Sequence, residues 1–296
     1  MRLEFRNIEK SFGEKRVLKG ISFVAESGKA FGLLGRNGAG KTTSIRILMD
    51  VFSQDSGEIL LDSEPIDRKK IKFGYLPEER GLYPKKKISD QLIYFAELHG
   101  LTHADAVRSV NAWLKKLDMA ADANKRLDTL SKGNQQKIQL ITALAHDPQI
   151  IILDEPFSGL DPVNAMTLKN VVKEEIERGK LVIFSSHQMS HIEEFCDSIA
   201  ILNGGSIAIT GDLRDIKRSY PRNKLLISSP ETERIKREIS LSCERISEEA
   251  LLLTLTSPDD KSEVMKKLTS SYDIDRIEVY EPSLNDIFVS YARESM

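Results

Sequence analysis

Gly35-Arg36-Asn37-Gly38-Ala39-Gly40-Lys41-Thr42 fits the spacing G-x-x-x-x-G-K-[ST] without a gap. Glycines so placed let the backbone curl into a nest whose N–H groups converge on phosphate oxygens, and a helix starting there favours an anion. Lys41 would reach the β- and γ-phosphates of a nucleotide, and the Thr42 hydroxyl would coordinate Mg²⁺. A plain glycine-rich turn is the competing reading. The apolar run Ala30-Phe31-Gly32-Leu33-Leu34 before the motif and helical spacing over residues 44–52 after it supply the strand–loop–helix context that phosphate binding requires. A second reactive group, Asp154-Glu155, closes the apolar run Ile150-Ile151-Ile152-Leu153. Asp154 at the C-terminal edge of a buried strand can hold nucleotide-bound Mg²⁺. Glu155 can orient the water that attacks a γ-phosphate and accept its proton. An acidic pair after a strand is often a solvated loop, so this pair gains its weight from the first motif.

Those groups must be delivered by a parallel sheet. The runs at 150–153 and 181–184 flank a helical segment at 163–178, which makes a β-α-β unit. Residues 3–8 and 17–24 alternate around a turn at Ser11-Phe12-Gly13-Glu14, the pattern of an antiparallel pair. Helical spacing covers 89–119 and 131–145, and Asn203-Gly204-Gly205 joins a hairpin of 198–202 with 206–210. Beyond Tyr220-Pro221 the order is strand, helix, strand, strand, helix, strand and a last helix from Ser283, which suggests a ferredoxin-like sandwich. The domain boundary is expected at 217/218.

Composition bounds the rest. A chain of 296 residues, 40% hydrophobic and 30% charged, reads as a globular protein of about two domains. The net charge of −2 gives no general attraction to nucleic acid or anionic lipid. Cys196 and Cys243 lack metal-ligand spacing and read as inert buried thiols. No apolar run approaches the roughly 18 residues of a membrane helix, and charge from the second residue argues against a secretory signal, so a cytoplasmic protein is expected.

Between the two reactive motifs stands Leu130-Ser131-Lys132-Gly133-Asn134-Gln135-Gln136-Lys137. It resembles the LSGGQ signature of ATP-binding cassette (ABC) proteins. Phe157-Ser158-Gly159-Leu160-Asp161 resembles the family's D-loop, and His187 after Val182-Ile183-Phe184-Ser185-Ser186 resembles its switch histidine. Phe12 stands where the family stacks an aromatic ring on adenine, and the resemblance also puts Val17 and Thr43 at the nucleotide. Five motifs in the family's order span residues 1 to about 217. The resemblance implies an α/β fold: a P-loop core with an antiparallel β subdomain, a helical subdomain at about 80–145 and a small α+β tail. It also implies an ATP hydrolase using ATP and Mg²⁺. Glu155 and His187 would be catalytic, and Thr42, Asp154 and Glu78 would ligate the metal. Ser131, Gly133 and Asn134 would act across a head-to-tail homodimer or heterodimer, and Asp161 would belong to the nucleotide site. An integral-membrane permease is the implied partner, holding the chain at the inner face of the cell membrane, and nucleic acid is not.

Three residues in two motifs depart from the family. Lys132 and Asn134 replace glycine and glutamine in the signature, adding a cation and an amide donor. Glu78, in Tyr75-Leu76-Pro77-Glu78, stands where glutamine is usual; its charge either strengthens metal coordination or repels phosphate. The stretch PEERGLYP and a tail ending EPSLNDIF are similar to bacterial exporters of the sodium or drug (Nat-like) group. A soluble regulatory ATPase without a permease is the alternative. Lys85-Lys86-Lys87 and Arg68-Lys69-Lys70 read as solvated faces. Trp113 reads as core, and His99, His103, His146 and His191 show no ligand spacing. Tyr94 and Phe95 are divided between core and a surface for the membrane partner.

Overall fold

The computed structural model describes residues 1–79 and 81–294, and Arg80 of PEERGLYP lies outside them. Its contacts divide the chain into two compact units, Met1–Leu213 and a second from Arg214 onwards.

The first unit opens with β1 (Arg2–Phe12) and β2 (Lys15–Glu26), paired antiparallel, followed by β3 (Ala30–Gly35) and α1 (Lys41–Leu48). Next come β4 (Ser56–Leu61), β5 (Glu64–Pro65), β6 (Phe73–Leu76), α2 (Ile88–Leu98) and α3 (His103–Lys116). The unit continues with α4 (Lys132–Leu144), β7 (Ile150–Asp154), α5 (Pro162–Glu177), β8 (Leu181–Ser186), α6 (Met189–Phe195), β9 (Ser198–Asn203) and β10 (Ser206–Asp212). One sheet runs β2-β1-β4-β5 and the other β10-β9-β3-β8-β7-β6. Within the second, β9, β3, β8, β7 and β6 are parallel neighbours and β10 returns antiparallel. Every residue of β3, β7 and β8 is buried, which is why these strands read as continuous apolar runs rather than alternating ones. Phe5 stacks on Phe23 at 4.3 Å and Phe23 on Phe31 at 5.1 Å, so rings from β1, β2 and β3 bind the two sheets together.

The helical stretch expected over 89–119 is two helices. The chain breaks at Gly100, whose φ of 91° suits glycine, and Thr102 restarts it by accepting a hydrogen bond from the Asp105 N–H at 3.2 Å. Arg68 is not part of a solvated face. Its Nε donates to Leu48 O at 2.9 Å and its Nη2 to Ile47 O at 3.1 Å, which also accepts the Asp50 N–H, so the guanidinium binds the carbonyls at the C-terminus of α1. Trp113 is half-buried under the Lys116 ammonium, 4.6 Å from the ring centroid, rather than in the core. Lys85, Lys86 and Lys87 are exposed, as is Tyr94, while Phe95 is half-buried. His146 is buried, donates Nε2–H to Phe73 O at 2.9 Å and stacks on His99 at 4.0 Å; burial, then the neighbouring His99, push its pKa down to about 4.

Helix α7 (Leu213–Ser219) begins at the division. The second unit holds β11 (Lys224–Ser228), α8 (Thr232–Glu238), β12 (Ser242–Ser247), β13 (Ala250–Thr254), α9 (Lys261–Ser271), β14 (Arg276–Val279) and α10 (Leu284–Glu294). Its sheet order β12-β13-β11-β14, antiparallel throughout, is that of a ferredoxin-like sandwich. Leu225, Ile227, Leu251 and Leu253 pack its core with Ile235 of α8 and Leu268 of α9.

Candidate functional site

Register brings the motifs together. Leu34 of β3 lies opposite Ser186 of β8, and Ser185 lies opposite Asp154 of β7, so three strands end at one edge of the sheet. Open parallel sheets bind their ligands outside the carboxyl ends of the strands. Here those ends release Gly35, Glu155 and His187. Gly40 caps α1 with φ 114°, and a Cβ there would stand 2.5 Å from Leu18 Cδ2, so the loop can turn into the helix only with glycine.

A pocket of about 430 Å³ lies against this edge. Phe12 and Val17 line it, together with Asn37, Gly38, Gly40, Lys41, Thr42 and Thr43. Glu78, Asp154 and Glu155 line the remainder. Phe12 is 43% exposed and meets Phe52 edge-on at 5.2 Å, which leaves a ring face open for stacking. The pocket also contains Lys15, which sequence reasoning missed; its register pairing with Phe12 across the β1–β2 hairpin was the available signal.

Lys41 is only 6% exposed and donates from Nζ to Gly35 O at 2.7 Å. Burial pushes its pKa down, while the charges of Glu155, Asp154 and Glu78 oppose that shift. Burial pushes the Asp154 carboxyl up, and the Glu78 and Glu155 charges add to the effect. Tyr75 approaches Asp154, its OH 3.5 Å from Oδ2; burial and then the Asp154 charge push its pKa up to about 12. Glu155 is held closely. Its backbone sits at φ 49°, its N–H donates to Ser185 O at 2.8 Å, and its Oε1 accepts from the His187 N–H at 2.7 Å. His187 Nδ1 also lies 2.6 Å from Oε1. The oxygens of Thr42, Asp154 and Glu78 beside an anion nest suit Mg²⁺, which takes one or two carboxylates and completes its shell with substrate phosphates and water. Among the described residues no group of three or more His, Cys, Asp or Glu is arranged to hold a metal alone.

Other expected residues lie apart from this pocket. Arg36, Ala39 and His187 line a second cleft of about 650 Å³, with Asn37 and Gly38 shared between the two and Asn203 and Gly204 on its far wall. Ser131 caps α4, accepting from the Asn134 N–H at 3.3 Å, and Ser131, Gly133 and Asn134 line neither cavity. Gly133 packs closely on α5: a Cβ there would stand 2.3 Å from Asn164 Nδ2, so the Asn164 side chain would have to move. Asp161 caps α5, accepting from Val163 N–H at 3.1 Å and Asn164 N–H at 3.0 Å, and it too is outside both cavities.

A parallel sheet that presents a glycine-rich anion nest, a lysine and a buried carboxylate pair at one edge defines a P-loop nucleoside triphosphatase. The ABC transporter family matches residues 18–158, and the family described as ATP-binding protein DrrA1-3-like, C-terminal domain, matches 211–292. The chain is 39% identical to the uncharacterized ABC transporter ATP-binding protein YhaQ of Bacillus subtilis over 97% of each chain. It is 35% identical to the linearmycin resistance ATP-binding protein LnrL of the same organism, covering 72% of this chain and 70% of that one. A solved structure of an ATP-binding subunit of an ABC transporter superposes with a TM-score of 0.67 at 29% identity, covering 74% of this chain and 92% of the other. The chain belongs to the family of ABC transporter ATP-binding proteins, and it is an ATP hydrolase of that type. No helix among the described residues is long and apolar enough to cross a membrane.

Proposed function

We propose that this chain hydrolyses ATP with Mg²⁺ as one half of a nucleotide-bridged pair, and that the pair drives a separate integral-membrane permease in the export direction. The observation that supports pairing is a separation: Lys41, Thr42, Asp154 and Glu155 line one pocket, whereas Ser131, Gly133 and Asn134 line neither cavity. A second chain, identical or related, supplies those three residues head-to-tail, and Asp161 contributes to the nucleotide site. Phe12 and Val17 hold the base, residues 35–43 hold the phosphates, and Thr42, Asp154 and Glu78 hold the metal. Bound there, Mg²⁺ neutralises charge on the phosphate oxygens. Glu155 orients the attacking water and takes its proton, and His187 fixes Glu155 and meets the γ-phosphate, so catalysis is mainly positioning and charge stabilisation.

The export direction draws on the relatives: besides the linearmycin resistance protein, the Nod factor export ATP-binding protein I of Burkholderia lata is 29% identical over 99% of this chain and 98% of its own. The substrate would be sodium or drug-like, and the permease would hold the chain at the inner face of the cell membrane. Residues 1–217 act as the ATP-binding domain, and 218–296 serve assembly or regulation. Glu155→Gln tests the core of this reading. With MgATP the variant should turn over at least ~100-fold more slowly and elute as a dimer on size exclusion. Near-normal turnover would remove Glu155 from its role, and a monomer with bound nucleotide would count against the pairing.

A further inference from the structure

We propose that Ser186 is a positioning residue for the reaction, fixing the carboxylate of Glu155 from the side opposite His187. The inference rests on the reading of Glu155 as general base. The Ser186 side chain is nearly inaccessible, at 3% exposure, and Glu155 is at 6%. Its Oγ lies 3.0 Å from Glu155 Oε2 and also accepts the Gln188 N–H at 3.0 Å. A carboxylate that is to act as a base carries no proton to donate, so the hydroxyl proton points at Oε2 while an Oγ lone pair accepts the Gln188 N–H: Ser186 donates and Oε2 accepts.

Glu155 is thereby held at both oxygens. Oε1 takes the two His187 contacts at 2.7 and 2.6 Å, and Oε2 takes Ser186. Its backbone N–H donates to Ser185 O at 2.8 Å, so Ser185 fixes the main chain of this residue while Ser186 and His187 fix its carboxylate. The backbone at φ 49° is uncommon for a residue other than glycine and persists only where surrounding contacts fix it. Without the Ser186 hydroxyl, Oε2 would be a buried acceptor lacking that partner, and the carboxylate could swing about the His187 contacts. Ser186 does not line the nucleotide pocket, so its loss misplaces the base without removing a nucleotide contact.

The test uses the full-length chain with MgATP and separates turnover from binding. Ser186→Ala should lower kcat at least ~10-fold, the scale expected when a reacting group is displaced by a fraction of an ångström to one ångström. The calorimetric ATP affinity should stay within ~2-fold. Ser186→Thr, which restores the hydroxyl, should return kcat to within ~3-fold of the parent. Ser186→Cys keeps the volume but offers only a weak donor, so it should also lower kcat and reads the same effect if the alanine variant folds poorly. Adding Ser186→Ala to Glu155→Gln should cost nothing more, because the group being positioned is already lost. Wild-type kcat in the alanine or cysteine variant overturns the proposal, and so does failure of threonine to rescue. A further loss in the Glu155→Gln background also overturns it, by showing that Ser186 acts elsewhere. Near-normal turnover by Glu155→Gln alone is a separate result, and it strikes the general-base reading on which the proposal stands.

Discussion

The two ends of the central parallel sheet carry opposite kinds of electrostatics. At the carboxyl end, Glu78, Asp154 and Glu155 face a pocket that also contains the buried Lys41 and Lys15, so three carboxylates face two cations. At the amino end the charges match. Glu175 accepts from Arg178 Nη1 at 2.9 Å and pairs with Lys180 Nζ at 3.0 Å; Asp147 pairs with the same Arg178 at 3.2 Å and with Lys180. This network joins the end of α5 to the starts of β7 and β8. Buried charges without balanced partners are costly, and a protein keeps them where a ligand completes the set. The amino end is complete within the chain, whereas the carboxyl end leaves charges that, on the proposed function, Mg²⁺ and the phosphates of ATP would complete.

Two substitutions should separate these ends cleanly. Lys41→Ala removes the cation facing the phosphates while leaving the backbone nest, and should weaken ATP binding ~100-fold with little change in thermal midpoint. A calorimetric titration with unchanged affinity would break the contrast at the carboxyl end. Glu175→Gln should do the reverse. It removes the charge that meets Lys180 and Arg178 in a buried setting, costing about 2–3 kcal/mol because Asp147 still partners both cations. Urea unfolding of the variant should show that loss alongside unaltered nucleotide affinity; a shift in affinity instead would mean that the two ends are not independent.

The amino end also predicts a pH response. His146 starts from an ordinary histidine pKa in the unfolded chain and is held down to about 4 in the fold. The unfolded chain therefore takes up the proton first. Stability attached to this group is complete above about pH 6.5 and is lost as pH falls towards 4, with about 1–2 kcal/mol gone by pH 5.5. Lys72 and Lys180, with His99, add positive charge around it, and the Phe73 carbonyl opposes them. His146→Gln keeps a donor for Phe73 O and should flatten this part of the stability profile. Parallel profiles for variant and parent would show that His146 does not govern the response.

The same contrast explains what the sequence disclosed. The buried strands at 150–154 and 181–186 are legible because both faces are covered and the residues are apolar without interruption, and the glycine-rich loop is legible because its chemistry demands fixed spacing. The antiparallel pairs and the order of the second unit follow from alternation and turn residues. What escaped depends on contacts between distant segments. Arg68 looks like a solvated cation until α1 ends beneath it, and Ser186 looks like one more strand residue until β7 places Glu155 beside it. Lys15 reaches the pocket only through a hairpin pairing. Histidine spacing likewise gave no hint that His99 and His146 stack, since they come from the ends of α2 and α4.

The smallest expected effect tests the excess of carboxylates itself. Glu78 is exposed, lines the pocket and contributes charge at both Lys41 and Asp154, whereas glutamine would offer one neutral oxygen and an amide. Two opposing forces act on that charge: it attracts Mg²⁺, and it repels the γ-phosphate that the ion must reach. If Glu78 holds the metal, its attraction to a divalent ion would outweigh its repulsion of a phosphate whose charge that ion offsets, so the charge would make the reaction more dependent on metal rather than slower at saturating metal. Glu78→Gln should keep ATPase activity within ~10-fold and raise the Mg²⁺ concentration needed for half-maximal nucleotide binding, as the loss of one charged oxygen ligand would. Because binding is read by titrating Mg²⁺ at fixed nucleotide, the result does not depend on turnover. Coincident titrations for variant and parent would put Glu78 outside the metal's shell and confine the carboxylates that serve the metal to the Asp154–Glu155 pair.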